Sequence, residues 1–320
     1  MSPVIAIILP AYNEELTIGG TIEAFHRAAP GADIYVINNN STDATRKVAL
    51  RYLEEQGIQG RVIDECRQGK GNAVRRAFLD INADIYVMAD ADLTYPADRI
   101  HDLIAPILRG EADIVVGDRR SEGHYAKENK RAFHNFGNSL VQGIVNRLFG
   151  AQLVDIMSGY RAFSRAFVKS YPILVEGFQL ETDVTLHALS RRLRIVEVPV
   201  EYRDRLAGSV SKLNTFADGA RVLFTIAQIM RFYRPLTFFA GLALLFFLAG
   251  LIAAIPVFDD WFSTRYITHV PLAILAAALE ILAFLLVGIG LILDSVAFHE
   301  RQRAELDLLR LHSSRTGRAP

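Results

Sequence analysis

Two long apolar stretches near the carboxyl end constrain this chain more than any other feature. Residues 236–258 contain no charged side chain, and residues 270–293 contain one, Glu280. Each stretch is long enough to cross a bilayer core of about 30 Å, at about 1.5 Å of rise per helical residue. Helices buried in soluble proteins are rarely apolar on every face over such a length. We therefore expect two transmembrane helices.

The charges around these stretches predict their orientation. The connection 259–269 carries two aspartates and one arginine, whereas five arginines follow within 294–320 and three lie shortly before residue 236. Lys and Arg are enriched on the cytoplasmic side of membrane proteins. Residues 1–9 also lack the basic start of a signal peptide. We expect a multi-pass protein of the cytoplasmic (inner) membrane, with both termini in the cytoplasm and the connection outside.

Composition limits the class of the remaining chain. The 35 basic and 35 acidic side chains give no net charge, which argues against nucleic-acid binding through a basic surface. With 51% hydrophobic and 22% charged residues, the chain is far from the composition of disordered proteins. Its single cysteine, Cys66, cannot form an intrachain disulfide, as expected for a protein that mostly faces a reducing compartment.

Short apolar runs alternate with amphipathic segments before the apolar stretches. The runs are 4–9, 34–37, 85–89 and 114–116, and the helix-like segments are 17–29, 43–55, 72–82 and 97–108. Apolar runs rich in β-branched residues are typical of strands buried on both faces of a parallel sheet. The alternation predicts a doubly wound α/β domain with its ligand at the carboxyl ends of the strands. No G-x-G-x-x-G follows the first run, which disfavours nicotinamide chemistry.

Residues 216–235 connect this domain to the first apolar stretch. Their apolar side chains fall mostly at helical spacing, with arginines among them, which predicts an amphipathic helix at the membrane interface. A helix packed on the domain is the alternative. The expected organisation is a domain at 1–215, an interfacial helix at 216–235, spans at 236–258 and 270–293, an external loop at 259–269 and a cytoplasmic tail at 294–320.

Three polar clusters follow predicted strands, where a ligand is expected. They are residues 10–15 (PAYNEE), 38–43 (NNNSTD) and 90–92 (DAD). Because carboxyl ends of neighbouring parallel strands converge, the clusters can contact one ligand. Asp90 and Asp92 are close enough to bind a hard divalent cation that also contacts substrate phosphates. Taken alone, an Asp-x-Asp pair is more often a surface turn.

The order of several motifs gives this pair a context. They are PAYNEE, NNNSTDAT, GKGNAVR at 69–75, DADLTYP at 90–96, VGDRR, SGYRAF and FQLETD. Over residues 4–235 this order resembles family 2 glycosyltransferases with the GT-A fold, and among them the polyprenyl-phosphate sugar synthases. The two C-terminal spans are similar to those of membrane-anchored members. The resemblance implies a GT-A domain with a mixed, mainly parallel sheet and a hexosyltransferase activity.

The resemblance also implies a donor site for a UDP- or GDP-hexose. Asp90 and Asp92 would hold Mg²⁺ or Mn²⁺ against the diphosphate, and Lys70 would add positive charge there unless it is a solvated turn lysine. Position 39 is usually an aspartate in the family, so Asn39 leaves the identity of the base open. The implied nucleotide contacts are Pro10, Tyr12, Glu14, Asn39, Lys70, Asp90 and Ala91.

A second set of residues is implied for the acceptor, a polyprenyl phosphate. Arg119, Arg131 and Asn135, the last usually a serine, match contacts to the lipid phosphate. The segment with Arg205, Ser209, Ser211 and Lys212 is similar to a mobile loop that closes over the donor phosphates. The implied catalytic residues are Asp155, which lies close to or orients the reacting groups, Glu181, which contacts a sugar hydroxyl, and Asp92. A phosphate oxygen is already ionised, so positioning and electrostatics can replace a general base.

Other interpretations remain open at this point. Residues 228–232 resemble the Q-x-x-R-W signature of processive polysaccharide synthases, but the aromatic residue differs and two spans do not obviously enclose a sugar channel. A lipid hydroxyl such as that of diacylglycerol as acceptor would require a true base at Asp155. A membrane-tethered nucleotide-sugar sensor would require no turnover. Glu280 lies mid-span and predicts pairing across a homo-oligomer, or else a protonated carboxyl.

Overall fold

In the computed structural model, residues 2–121, 132–173, 175, 180–202 and 226–315 are described, with the backbone alone described at 132–138, 304 and 307–315. The chain divides into two compact units. The first is Met1–Asp218 with Asp307–Pro320, and the second is Gly219–Leu306.

The first unit is built on a seven-stranded sheet with the order β3-β2-β1-β4-β6-β5-β7. The strands are β1 Ile5–Ala11, β2 Asp33–Asn38, β3 Gly60–Asp64, β4 Ile85–Met88, β5 Ile114–Asp118, β6 Arg161–Ser164 and β7 Ile195–Pro199. Neighbouring strands are parallel except at β6, which runs antiparallel to both β4 and β5. The expected mixed, mainly parallel sheet is confirmed.

Seven α-helices belong to the described part of this unit. They are α1 Ile18–Ala28, α2 Thr45–Glu55, α3 Lys70–Asp80, α4 Ile100–Leu108, α5 Ala132–Phe149, α6 Arg165–Ser170 and α7 Leu180–Ser190, with a 3₁₀ turn Ala97–Arg99 before α4. Helix α3 begins at Lys70, two residues before the predicted start. Gly69 precedes it with φ 130°, a conformation that favours glycine and lets the chain turn directly into the helix.

Two apolar clusters cover the two faces of the sheet. Successive β1 residues alternate between them: Ile7 and Leu9 pack with α1, α2 and α4, whereas Ile8 packs with α3, α6 and α7. All three side chains are buried, and burying such a side chain contributes about 1.5–3 kcal/mol. Burial on both faces explains why the strand reads as a continuous apolar run.

The second unit contains two long apolar helices. Residues 226–233 are helical, α8 spans Pro235–Thr264, and α9 spans Val270–Arg315, of which residues 270–306 belong to this unit. Pro235–Thr264 and Val270–Arg303 are long and apolar enough to span a membrane, as expected. Both helices continue beyond the predicted spans, since no glycine or proline interrupts the chain directly after residues 258 and 293. Residues 216–225 of the predicted interfacial helix lie outside the described residues.

Small residues let α8 and α9 pack closely. Ala243 of α8 is buried with Ala283 and Leu286 of α9. At Gly250 a Cβ atom would lie 2.6 Å from Glu280 Oε1, so the Glu280 carboxyl lies against α8 of the same chain. This oxygen has no hydrogen-bond partner among the described residues. The pairing of Glu280 across a homo-oligomer stays a prediction.

Candidate active site

One edge of the sheet brings the predicted clusters together. Strands β1, β2, β4 and β5 all end at this edge because they run in the same direction. The reversed strand β6 begins there, with Arg161 opposite both Met88 and Val116. The segment that precedes β6, residues 155–160, therefore also lies at the edge.

The first two polar clusters are joined by hydrogen bonds. The backbone N–H of Thr42 donates to Asn13 Oδ1 at 2.9 Å, and that of Glu14 donates to Thr45 Oγ1 at 2.8 Å. Asn13 has φ 55°, a left-handed conformation that asparagine tolerates. The loops after β1 and β2 thus form one connected surface.

The structure places the three predicted pocket residues of the first cluster differently. Pro10 is partly buried at the end of β1, whereas Tyr12 is exposed. Glu14 is partly buried, and its Oε2 accepts a hydrogen bond from Thr17 Oγ1 at 2.8 Å. Tyr12 therefore offers a ligand the most accessible side chain of the three.

Asn39 is buried, and both ends of its amide are used within the protein. Its Oδ1 accepts from the Gly69 N–H at 2.7 Å, and its Nδ2 donates to the Arg67 carbonyl at 2.7 Å. A carboxylate could not make the second bond, because it has no proton to donate. The amide therefore fixes the β3–α3 loop, a function that the resemblance did not imply.

Glu65 fixes the same loop at a second point. Its two carboxylate oxygens accept from Arg67 Nε at 2.9 Å and Arg67 Nη2 at 3.0 Å. These hydrogen bonds from Arg67 hold the pKa of the buried Glu65 carboxyl at about 2. Because the loop is fixed at Glu65 and at Gly69, the backbone position of Lys70, the first residue of α3, is well defined.

That residue, Lys70, contacts two carboxylates. Its Nζ lies 2.5 Å from Asp90 Oδ1 and 2.5 Å from Glu181 Oε1, and its side chain is only 11% exposed. Burial alone would lower the pKa of Lys70, but the charges of Asp90 and Glu181 outweigh it and raise that pKa above its usual value. The alternative of a solvated turn lysine is wrong, because the fixed loop directs this side chain into the site.

Asp90 and Asp92 lie in different surroundings. The Asp90 side chain is 28% exposed, whereas Asp92 is buried and its Oδ1 accepts from Thr94 Oγ1 at 2.6 Å. Between them, the Ala91 carbonyl accepts from Thr21 Oγ1 at 3.1 Å. Both aspartates offer the oxygen ligands that Mg²⁺ or Mn²⁺ can use. The described residues contain no group of three or more His, Cys, Asp or Glu side chains that could hold a metal ion by themselves.

The turn before β6 packs directly on this cluster. A Cβ atom at Gly159 would lie 3.0 Å from both Asp90 Oδ2 and Lys70 Nζ, so only glycine allows this approach without displacing them. The Gly159 N–H donates to Tyr95 Oη at 2.8 Å. Gly159 was not predicted as a site residue, although a glycine just before a strand was a usable signal.

Arg161 is a fully buried arginine that supports the turn. It is 0% exposed and donates to the carbonyls of Ser158 and Ile156, each at 2.7 Å, and to Thr185 Oγ1 at 2.9 Å. Burial lowers the pKa of its guanidinium. Since Thr185 belongs to α7, Arg161 connects the turn to the helix that carries Glu181. The charged residue within the motif YRAF was the signal that sequence analysis missed.

Arg119 and Asp155 form a second ion pair at this edge. Arg119 Nε donates to Asp155 Oδ2 at 2.7 Å and Nη2 donates to Oδ1 at 3.0 Å, and the Asp155 side chain is 2% exposed. Burial raises the pKa of Asp155, but the hydrogen bonds and charge of Arg119 outweigh it and lower that pKa. Asp155 is therefore ionised, with both oxygens committed to Arg119.

Several predicted contacts fall outside the described part of the chain. Asn135 belongs to α5, with its side chain outside the described residues. The remaining predicted contacts lie wholly outside the described residues; they are Arg131, Arg205, Ser209, Ser211 and Lys212. Their roles stay predictions.

Comparison with known proteins identifies the family of the chain. The model of glycosyl transferase family 2 matches residues 6–171. Glycosyltransferase AglJ of Haloferax volcanii is 29% identical over 95% of this chain and 98% of its own length. The dolichyl-phosphate hexose transferase of the same organism is 30% identical over 70% of this chain and 93% of its own length.

Solved structures share the fold. Glucosyl-3-phosphoglycerate synthase from Mycobacterium tuberculosis, in complex with Mn²⁺, UDP-glucose and phosphoglyceric acid, aligns with a TM-score of 0.55 and 24% identity. The alignment covers 72% of this chain and 79% of that chain. The first unit thus has a GT-A-like fold. From the family match and these relatives we conclude that the chain belongs to glycosyl transferase family 2 and is a hexosyltransferase enzyme with polyprenyl-phosphate hexosyltransferases among its relatives.

Proposed function

We propose that this enzyme transfers a single hexose from a nucleoside-diphosphate sugar to a polyprenyl phosphate, with inversion at the anomeric carbon, at the inner membrane leaflet. The observation that carries the proposal is the cluster of Lys70, Asp90 and Glu181 beside Asp92, in a chain that also contains two possible membrane spans. The dolichyl-phosphate hexose transferase relative supports a lipid phosphate as acceptor.

The donor site fits a divalent metal. Asp90 and Asp92 supply two carboxylates and leave coordination positions for a diphosphate, which is how Mg²⁺ is usually bound. When bound, the ion neutralises charge that develops on the departing nucleoside diphosphate. The Mycobacterium tuberculosis structure, which holds Mn²⁺ together with UDP-glucose, supports this assignment.

Protein groups near the metal ligands position the sugar. Glu181 lies on the first turn of α7, is buried, and is oriented by Lys70, so we assign it to a sugar hydroxyl. Tyr12, the most accessible of the three predicted contacts in the first cluster, is assigned to the nucleotide. Asn39 acts on the nucleotide pocket by shaping the β3–α3 loop rather than by reading the base with a free amide.

On the acceptor side, no proton acceptor is required. An ionised phosphate oxygen forms the new bond to the anomeric carbon while the bond to the donor diphosphate breaks, and the bonding electrons leave with the nucleoside diphosphate. Arg119 is assigned to the acceptor phosphate, and Asp155 keeps the guanidinium in one orientation. A lipid hydroxyl is less well supported as acceptor, because Asp155 is already paired with Arg119.

The second unit would keep the enzyme at its lipid substrate. Residues 236–258 of α8 and 270–293 of α9 are assigned to the membrane, with the catalytic domain at 1–215, an interfacial helix at 216–235 and the tail from 294 on the cytoplasmic side. Arg231 and Arg234, just before α8, can contact anionic lipid headgroups.

An assay with defined acceptors tests the proposal. Purified full-length enzyme is incubated with Mg²⁺ or Mn²⁺ and each of a panel of UDP- and GDP-hexoses, with either a short polyprenyl phosphate or diacylglycerol as acceptor. We expect one nucleotide sugar to give a polyprenyl-phosphate hexose of inverted anomeric configuration, and chelation of the metal to stop its formation.

The Asp90→Asn variant, which keeps the size of the side chain, should lose this product. Asp113→Asn, in an exposed ion pair with Arg194, is the matched control and should keep it. Product formed on diacylglycerol alone, a retained configuration, or full activity without metal would each contradict the corresponding part of the proposal.

A further inference from the structure

The ion cluster around Lys70 places an ammonium group beside Asp90, a proposed metal ligand. A metal site needs Asp90 to be available to the cation, yet the Lys70 ammonium already lies 2.5 Å from Asp90 Oδ1. The same ammonium lies 2.5 Å from Glu181 Oε1. One cation is therefore already shared by a proposed metal ligand and a proposed sugar contact.

Contacts at both ends of Lys70 favour its observed position. Asn39 accepts from the N–H of Gly69, the residue directly before Lys70. At the other end of the side chain, the backbone of Gly159 lies so close that a Cβ there would come within 3.0 Å of Nζ. A lysine held in this way keeps its contacts without the entropic cost that weakens exposed ion pairs.

Asp90 and Glu181 require a cation between them. Each carboxylate has an oxygen 2.5 Å from the same nitrogen, so the two charges are near neighbours in a site that is largely buried. Like charges at such distances destabilise each other strongly where water is scarce. Lys70 supplies the compensating charge, and a divalent metal at Asp90 would supply it as well.

We propose that Lys70 is a built-in counter-ion that competes with the divalent metal for Asp90, so that metal binding is weak until a nucleoside diphosphate is present. The diphosphate offers the ammonium another anionic partner, and Asp90 is then released to the metal. This inference rests on the metal role of Asp90 and Asp92 given under the proposed function. By linkage, metal and nucleoside diphosphate strengthen each other's binding through Lys70.

Direct measurement of Mn²⁺ binding tests this competition. Free Mn²⁺ is titrated by electron paramagnetic resonance against full-length enzyme in detergent, with and without UDP and GDP. Without nucleotide, Lys70→Met should bind Mn²⁺ about tenfold more tightly than the wild type, within the usual range of coupling between sites. The gain in Mn²⁺ affinity caused by the preferred nucleotide should be about tenfold smaller in Lys70→Met than in the wild type.

Two further variants separate direct competition from general electrostatics. Lys47→Met removes an exposed lysine of α2 and should bind Mn²⁺ as the wild type does. The double variant Lys70→Met with Glu181→Gln has the net charge of the wild type but no ammonium at Asp90, and should still bind Mn²⁺ more tightly than the wild type. If Lys70→Met does not fold, as judged by circular dichroism and thermal unfolding, this charge-balanced double variant provides the test.

The possible outcomes are distinct. Mn²⁺ affinity that is equal or weaker in folded Lys70→Met, or a gain that disappears in the double variant, would overturn the competition while leaving the metal site intact. A wild-type enzyme that binds no Mn²⁺ even with nucleotide would overturn the proposed metal site, and with it this inference.

Discussion

Asp155 is a buried carboxylate that can assist a reaction without accepting a proton. Both of its oxygens accept hydrogen bonds from Arg119, and Oδ1 also accepts from the Met157 N–H at 3.2 Å. Its lowered pKa makes it a weak base. Its proposed contribution is to hold a guanidinium in the orientation that a phosphate can use.

Replacing Asp155 by asparagine tests this assignment. The variant keeps the side-chain volume but loses the charge that orients Arg119, so we expect the KM for polyprenyl phosphate to rise about tenfold or more, with a smaller change in kcat. The pH dependence of kcat should keep its shape. A loss of kcat of a thousandfold or more at unchanged KM, with a changed acidic limb, would instead identify Asp155 as the base.

His187 gives the first unit a pH-dependent stability. It is 8% exposed, its ring contacts those of Tyr171 and Phe167, and its Nε2 has no partner among the described residues. Burial lowers its pKa from 6.5 to about 4. The neutral form is thus favoured in the folded state, and the stability it gives is present above pH 6.5 and is lost as the pH falls toward 4.

The wild type should therefore lose about 2 kcal/mol more stability between pH 7 and pH 5 than His187→Phe, which keeps an aromatic ring but does not titrate. Thermal unfolding in detergent at the two pH values measures the difference. Equal losses in both proteins would show that another group is responsible.

At the level of elements, the sequence predicted strands β1, β2, β4 and β5 but did not predict β3, β7 or the reversed strand β6. The apolar runs at β1, β2, β4 and β5 were predicted because they are buried on both faces. Strand β3 is mostly exposed, β7 is only partly buried and ends in Pro199, and β6 has four residues and begins with the charged Arg161, so their patterns are weak.

The same reversal limited the prediction of the site. Clusters that follow parallel strands were found from the rule that ligands bind at carboxyl ends. This rule did not identify Gly159, which precedes β6, or Arg161, which begins it, because β6 runs in the opposite direction. Their importance depends on contacts with Asp90, Lys70 and Thr185, which are distant in sequence.

Gly159→Ala is expected to affect activity more than folding. The added methyl group would meet the ends of the Asp90 and Lys70 side chains at 3.0 Å, and these can move at modest cost to stability. We expect hexose transfer to fall at least tenfold, with thermal unfolding shifted by a few degrees.

Gly110→Ala, at a glycine with open space but φ 68°, is a control for backbone effects and should lose stability rather than activity. Wild-type transfer rates in Gly159→Ala would show that the close approach of the turn is unimportant.

At the scale of the whole molecule, the zero net charge is the sum of unlike regions. Acidic side chains lie in the first unit at Asp90, Asp92 and Glu181, whereas arginines are frequent before α8 and in the second half of α9. This distribution suits an enzyme that binds a metal and a nucleotide at one place and a membrane at another.

Cysteine labelling tests the proposed topology. On a Cys66→Ser background, Tyr266→Cys lies in the short connection between α8 and α9, and Glu305→Cys lies near the end of α9. A membrane-impermeant maleimide should label intact cells at position 266 and should label position 305 only after permeabilisation. The reverse pattern, or equal labelling of both, would contradict an external connection.

Because β6 runs in the reverse direction, the short turn before it lies in the candidate site, and we expect the length of this turn to matter for activity. Residues 155–160 are held at one end by the Asp155–Arg119 pair and at the other by Arg161. Within this turn, Gly159 lies close to the Asp90 carboxylate. We expect the number of residues in the turn to set the distance between Arg119, the proposed acceptor contact, and Asp90, the proposed metal ligand. Substitutions within the turn at positions other than Asp155 and Gly159 should therefore be tolerated. Inserting or deleting one residue should leave the donor and acceptor groups intact but at the wrong distance for transfer.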